Sequence, residues 1–385
     1  MRLLGTVLAA VLSTCSGSAP GPAPERPPRD QGSTAESGGE QSQEASGPTS
    51  TAPAPRGGGA PAVVGYLALH LDPGDAPVSS NGGVSFERPS EYFDTLADLV
   101  IAADDHGGHE LTMAFTGQWA HYVKSSLCTV PGKAAKRYGV DDCLSLVRVW
   151  EANGHEVAVH RHPVWQPAVW DGYTNNASWT ADRNGDGVVE TYGVQGPKSD
   201  PWYLGSVADV EALVAGLSRS GKVVSGCGAE FDGPGTSVKY VGAGSGAGYT
   251  SKAVPGDMIS QPCARNNNDG SWVWEVRYRS VHKGSGTGVV STELPNALRD
   301  YAGGSDGPWV LGMVSHAKDA AEVGIPTYED IFDQLSDAGV KLVALSEVMG
   351  HFDNAKVAAG SGAQPACPSM AGPPAGSPAP TKSRR

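Results

Sequence analysis

Positive charge is scarce in this 385-residue chain. Lys and Arg number 28 against 41 Asp and Glu, for a formal net charge of −13. No basic stripe interleaved with aromatics occurs, which argues against a nucleic-acid partner. A membrane-spanning run is also lacking near the N-terminus: "LLGTVLAAVLSTC", after Arg2, is too short to cross a bilayer as a stable helix. Large apolar side chains are almost absent from residues 16–62 and from residue 357 to the end, where Ser, Gly, Pro and Ala dominate. Such segments cannot bury enough surface to order themselves, so a linker (16–62) and a tail (357–385) are expected to be disordered. Residues 63–356 remain, enough for one sizeable core.

The short apolar run reads as a signal peptide, residues 1–15. Its end, Leu12-Ser13-Thr14-Cys15, resembles a bacterial lipoprotein box. In such a box Cys15 is lipidated and becomes the new N-terminus, which would tie the chain to a membrane. Thr14 stands where Gly, Ala or Ser is usual, and ordinary secretion with cleavage near Ala19 is the alternative. The low-complexity stretch after Cys15 would then serve as a flexible tether. Either route leads out of the cytoplasm, where disulfides persist.

Cysteine is sparse: Cys15, Cys128, Cys143, Cys227, Cys263 and Cys367. With Cys15 lipidated and Cys367 in the tail, four remain. Pairing Cys128 with Cys143 and Cys227 with Cys263 closes two local loops. A loop of about 15 residues contributes roughly 3 kcal/mol in the chain-entropy picture. The other two pairings of these four stay open.

What is present is a repeating alternation of strand-like and helix-like segments. "AVVGYLALHL", "ELTMAFT", "HEVAVH", "KVVSGC", "WVWEVRYRS", "PWVLGMVSH" and "VKLVALSEV" read as strands. Helices are expected between them, as in "PSEYFDTLADLVIAADDHG", with Ser90 as N-cap and Gly107 as stop. Repeated strand–helix units imply an α/β fold with a parallel sheet. About seven strands favour a closed or nearly closed barrel over an open doubly wound sheet. In barrels the chemistry sits at the C-terminal ends of strands, where His70, Asp72, Thr116, His160, His162, Cys227 and His316 fall.

Two pairs are conspicuous there. "GHEVAVHRHP" ends a strand in His160 and His162, and "GYLALHLDP" ends another in His70 and Asp72. Residues two apart share a face of a strand. Two imidazoles and a carboxylate converging on one point are the ligands expected for zinc or a similar divalent ion. The alternative is a polar rim that binds sugar or only satisfies hydrogen bonds.

The order of motifs resembles the polysaccharide deacetylases of the NodB-homology type. The shared features are "GHEVAVH", then "VLGMVSH", then "TYEDIFDQLSDAGVKLVALSEV". The resemblance covers about residues 63 to 352 and implies a distorted (β/α)7 barrel with long loop insertions. It implies a metal-dependent hydrolase removing acetyl groups from an extracellular or cell-wall polysaccharide. It assigns Asp72 as base, His316 as acid, and His160 and His162 to the metal, with His70 open to a vacant ligand place. Three features depart from the family. Pro73 follows Asp72 where a second aspartate is usual, Val164 stands at the usual second-histidine position, and "GCGAEFDGPG" replaces an Arg-Pro motif. A non-catalytic carbohydrate-binding lipoprotein is one alternative. A glycoside hydrolase is the other, requiring a carboxylate pair such as Asp72 with Glu230 or Asp232.

The insertion from Pro163 to Tyr203 carries "DRNGDGVVE". Asp182, Asn184 and Asp186 fall at positions 1, 3 and 5 of a calcium loop, with the Val188 carbonyl and Glu190 to complete the shell. A polar turn rich in Asp, Asn and Gly is the alternative to this structural calcium. Trp165 and Trp170 in the insertion, and Trp119 after the second strand, are candidate sugar-stacking rings. Equally, the insertion aromatics can form a small core of their own.

Overall fold

The computed structural model describes residues 63–72, 89–162, 170–181, 190–193, 203–228, 231, 236–242, 258–260, 262–266, 272–282, 285–301, 309–348 and 350. Strand β1 (Val63–Leu71) leads by way of α1 (Pro89–Asp105) to β2 (Thr112–Phe115). Helices α2 (Gly117–Val123), α3 (Gly132–Tyr138) and α4 (Cys143–Ala152) follow, and then β3 (Glu156–Arg161). The hairpin β4 (Ser178–Ala181) and β5 (Glu190–Gly193) forms its own two-stranded sheet. Helix α5 (Val207–Ala215) precedes β6 (Ser225–Gly228), β7 (Tyr240–Gly242), β8 (Ile259–Ser260), β9 (Cys263–Asn266), β10 (Trp272–Val276) and β11 (Arg279–Ser280). After α6 (Gly286–Gly288), a π-helical turn (Val289–Glu293) and α7 (Leu294–Tyr301) come β12 (Trp309–His316), α8 (Ala317–Val323) and α9 (Ile325–Asp337).

The main sheet runs β11-β12-β1-β2-β3-β6-β7-β10-β9. Every neighbouring pair from β11 to β10 is parallel, whereas β9 lies antiparallel on β10 and β8 antiparallel on β12. The expected α/β class and parallel sheet are therefore present. The segment expected to form one strand, "WVWEVRYRS", is divided. Its first part, β10, pairs with β7, and its last part, β11, pairs with β12. A stretch of nine residues thus links the two ends of the sheet, which curls into an eight-strand parallel wall. Gly312 belongs at this junction, because a Cβ there would meet the Arg277 carbonyl oxygen at 2.0 Å.

Alternation along each strand separates two faces. Leu67, Leu69, Met113, Phe115, Val157, Val159, Leu311 and Met313 point outward into a large cluster with helix residues such as Phe93, Leu96, Trp150 and Phe332. Tyr66, Ala68, Ala114, Ala158, Cys227, Val310 and Val314 point into the curl, where Leu345 and Val348 join them. The inward alanines leave room inside the wall for larger polar groups at either end of the strands.

The segment "VKLVALSEV" departs from the expected strand. Only Leu342 pairs with the sheet, through a bridge to Gly65, and residues 345–348 form a helical turn. This turn closes the N-terminal end of the curl. The Ser346 amide and the Thr112 hydroxyl both donate to the Glu156 carboxylate at 3.2 Å, and the Leu345 amide donates to Thr112 Oγ1 at 2.9 Å. Burial pushes Glu156 above its ordinary range, although these bonds oppose it. Helix α1 starts one residue before the expected cap, so Ser90 lies inside its first turn. Gly107 ends the segment with φ of 123°, a conformation that favours glycine.

Cys128 and Cys143 form a disulfide, which brackets α3 and ties the loop after α2 to the start of α4. The second expected pairing does not form: Cys227 is a buried free thiol. Its strand β6 is separated from Cys263 on β9 by β7 and β10. Three strand spacings amount to roughly 14 Å, about twice the roughly 7 Å that a disulfide can bridge between Cα atoms. Among the described residues no helix is long and apolar enough to cross a membrane. Residues 1–15, with the proposed lipidation site Cys15, lie outside them.

Candidate metal centre

The two polar pairs emerge at the C-terminal ends of β1 and β3. These strands are not neighbours, because β2 lies between them. Ala114 is the β2 residue opposite His70, and its small side chain lets the His70 and His160 rings stack across it, with centroids 4.0 Å apart. His316 arrives from the other side, since β12 pairs with β1 in a register that sets His70 opposite His316. The curl therefore brings together His70, Asp72, His160, His162 and His316.

At the centre three ligand atoms form a near-equilateral triangle. Asp72 Oδ1 lies 2.8 Å from His160 Nε2 and 3.1 Å from His162 Nε2, and the two nitrogens are 2.9 Å apart. His160 Nδ1 is 2.9 Å from the Cys227 carbonyl oxygen. A carbonyl only accepts, so Nδ1 carries the hydrogen and the neutral ring turns its Nε2 lone pair into the triangle. A single proton can lie along one edge of such a triangle. A divalent ion above its face would meet all three atoms. Ligands held at about 2.1 Å and right angles stand roughly 3.0 Å apart, which matches the three edges. These residues therefore fit a divalent cation.

The charges are arranged accordingly. Burial would raise Asp72, but the His316, His162 and His160 rings around it hold it well below the usual carboxylate range. Burial lowers His160. Burial would lower His162 too, but the Asp72 carboxylate outweighs it and raises the ring. His70 is held well below its ordinary value by burial and by the neighbouring His160 and His316.

The supporting groups come from two elements. On α2, the Trp119 indole donates to the Asp72 carbonyl at 2.6 Å, and the Gln118 amide donates to the Asp171 carbonyl at 2.7 Å. Arg161 lies between the two histidines in sequence and so faces the other way. It is fully buried and pairs with the equally buried Asp171 at 3.2 Å, while also donating to the Tyr173 carbonyl. The early part of the insertion, around Asp171 and Tyr173, is thereby fastened to the strand that carries the histidines. His316 sits across the site, with Nε2 3.6 Å from Asp72 Oδ2 and Nδ1 2.7 Å from Asp319 Oδ2. Asp319 lies off the strand-end pattern that marks the other site residues, although an acidic residue three positions after a helix-capping histidine is within reach of it.

Several expected site residues are placed differently. Trp119 is buried and anchors Asp72, so it is no exposed stacking platform, although it lines the cleft beside His70, Asp72 and His316. Trp170 is also buried, packed edge-on against Trp179 at 5.2 Å, and belongs to the insertion's own small core. Trp165, Glu230 and Asp232 lie outside the described residues, as do Asp182, Asn184, Asp186 and Val188 of the expected calcium loop. Glu190 is described only by its backbone, as the first residue of β5. In sequence, residues 182–189 lie between β4 and β5.

No protein-family model matches this chain, and no curated protein is significantly similar to it. Among solved structures the chain is similar to a 4-alpha-glucanotransferase from Thermococcus litoralis, with 10% identity and a TM-score of 0.41 over 75% of this chain and 38% of that one. It is also similar to a GH57-type branching enzyme from the archaeon Pyrococcus horikoshii, with 8% identity and a TM-score of 0.38 over 75% of this chain and 70% of that one. The chain spans less than half the length of the first of these. The activities named are those of the two proteins compared.

Proposed function

We propose that this protein is a metal-dependent hydrolase that removes acetyl groups from an extracellular or cell-wall polysaccharide. The observation that carries this reading is the triangle of Asp72 Oδ1, His160 Nε2 and His162 Nε2, with His316 facing it at 3.6 Å. Zinc or a similar divalent ion in this centre would supply Lewis acidity to an acyl carbonyl and to water. Asp72, drawn to both β3 histidines, serves as the carboxylate ligand, and the base role first given to it passes to His316. His316 Nε2 takes the proton of the attacking water and later hands it to the leaving amine or alcohol. Asp319 keeps the His316 ring oriented through Nδ1 throughout. The choice of acetylated glycan as substrate comes from the motif order described above.

The same reading places the enzyme outside the cytoplasm, anchored through Cys15, with a structural calcium ion in the insertion. The Cys128–Cys143 disulfide supports an oxidising compartment. The purified protein is expected to hold a divalent metal and to release acetate from acetylated glycans. His160→Ala should lose the tightly held metal and the acetate release. His316→Ala should keep the metal and lose at least about 100-fold in acetate release, the usual span for a proton-transfer group. Metal-free protein, or acetate release untouched by His316→Ala, would overturn the reading.

A further inference from the structure

We infer that the centre has a second divalent-cation site, formed by His70 Nε2, His316 Nε2 and Asp72 Oδ2, and joined to the first by the Asp72 carboxylate. This inference rests on the metal-dependent reading above and extends it. Asp72 presents its two oxygens in two directions. Oδ1 belongs to the His160–His162 triangle, and Oδ2 lies 3.6 Å from His316 Nε2. The ligand atoms of His70, Asp72 and His316 all lie within 4.8 Å of one another.

His70 supplies the independent observation. Its side chain is buried, and its Nε2 has no hydrogen-bond partner. Leaving such an atom uncompensated is costly, and a bound cation removes that cost. His70 cannot easily join the first ion instead. Its ring stacks on His160 with centroids 4.0 Å apart and planes inclined by 28°. Ring nitrogens hold their lone pairs in the ring plane, so two stacked rings direct them into separate layers. Two ions bridged by one carboxylate sit roughly 3.5–4 Å apart, which suits rings stacked at this distance. The cleft also opens on this side, lined by His70, Asp72 and His316, so a cation can enter without displacing the first.

The consequence is a form of control. A cation on His316 Nε2 removes that atom from proton transfer, so excess divalent metal would suppress acetate release by the singly loaded enzyme. Titration of the full chain with cobalt(II), followed by its visible absorption and by equilibrium dialysis, tests the site directly. The wild type is expected to bind two equivalents, the tighter one first. His70→Ala and the bulkier His70→Gln should each bind one, with circular dichroism confirming that the fold is retained. Wild-type binding that saturates at one equivalent overturns the second site and leaves the first standing. So does a folded His70 variant that still binds two. A wild type that binds none overturns both readings.

Discussion

Single residues set the chemistry of the two ends of the curl. At the C-terminal end His160 is tethered through Nδ1 to the Cys227 carbonyl, which commits its other nitrogen to the centre. At the opposite end the inward-facing residue of the same strand is Glu156, which burial pushes above the ordinary glutamate range. A carboxyl whose folded value is raised binds its proton more tightly in the folded chain than in the unfolded one. Its contribution to stability is therefore greatest below the unfolded value and declines as pH rises through the folded value. Glu156→Gln keeps an acceptor for the Ser346 amide but cannot ionise. The melting temperature of this variant is expected to gain on the wild type as pH rises from about 4.5 towards neutrality. Parallel thermal melts across that range check this, and a constant difference would remove Glu156 as the cause. The two-residue spacing of His160 and His162 was legible in the sequence. The role of Trp119 was not, because a tryptophan just inside a helix gives no local sign that its indole will turn back to a strand end.

At the scale of elements, the insertion is attached by polar contacts and by Tyr173 packed in the outer core, rather than by pairing with the main sheet. The segment 170–174 is fixed by the Arg161–Asp171 pair and by Gln118, and the hairpin β4–β5 follows it. If the loop joining that hairpin holds calcium, chelation should raise amide hydrogen exchange in β4 and β5 while β1 and β3 keep their protection. Exchange followed by mass spectrometry with and without chelator decides this, and unchanged protection in the hairpin would end the calcium reading. The Cys128–Cys143 bridge acts in the same local way. Reducing it is expected to cost roughly 3 kcal/mol, measurable as a lower denaturant midpoint, with α3 losing protection before the sheet. The bridge was readable from spacing, since its two cysteines are close in the chain. The Cys227–Cys263 pairing failed because nearness in sequence does not measure distance across a sheet that inserts two strands between them.

For the whole molecule, closure depends on the segment 272–280 passing from β7 to β12. Gly312 permits it, and Gly312→Ala would drive a methyl group into the Arg277 carbonyl. A loss of about 1–3 kcal/mol or more is expected, as for other overpacked sites. Separation of β11 from β12 would move His316 relative to Asp72, so metal affinity should fall together with the midpoint. Denaturation and metal titration on the same samples check the two effects, and a variant as stable as the wild type would show that the junction tolerates a side chain.

By itself the sequence determined the period-two alternation that sets His70 with Asp72 and His160 with His162, each pair on one face of its strand. It also indicated the alternation of strands and helices over most of the sheet, and offered the local Cys128–Cys143 pairing among the open ones. These follow from interactions between residues a few positions apart, where backbone geometry leaves little choice. The tertiary structure decided that both faces turn into one curl, that His316 reaches Asp72 Oδ2, that Trp119 and Trp170 are buried, and that "VKLVALSEV" ends as a plug rather than a strand. Those outcomes depend on register and closure, which arise only when strands distant in sequence pair and the inward volume is filled by whatever side chains the curl leaves room for.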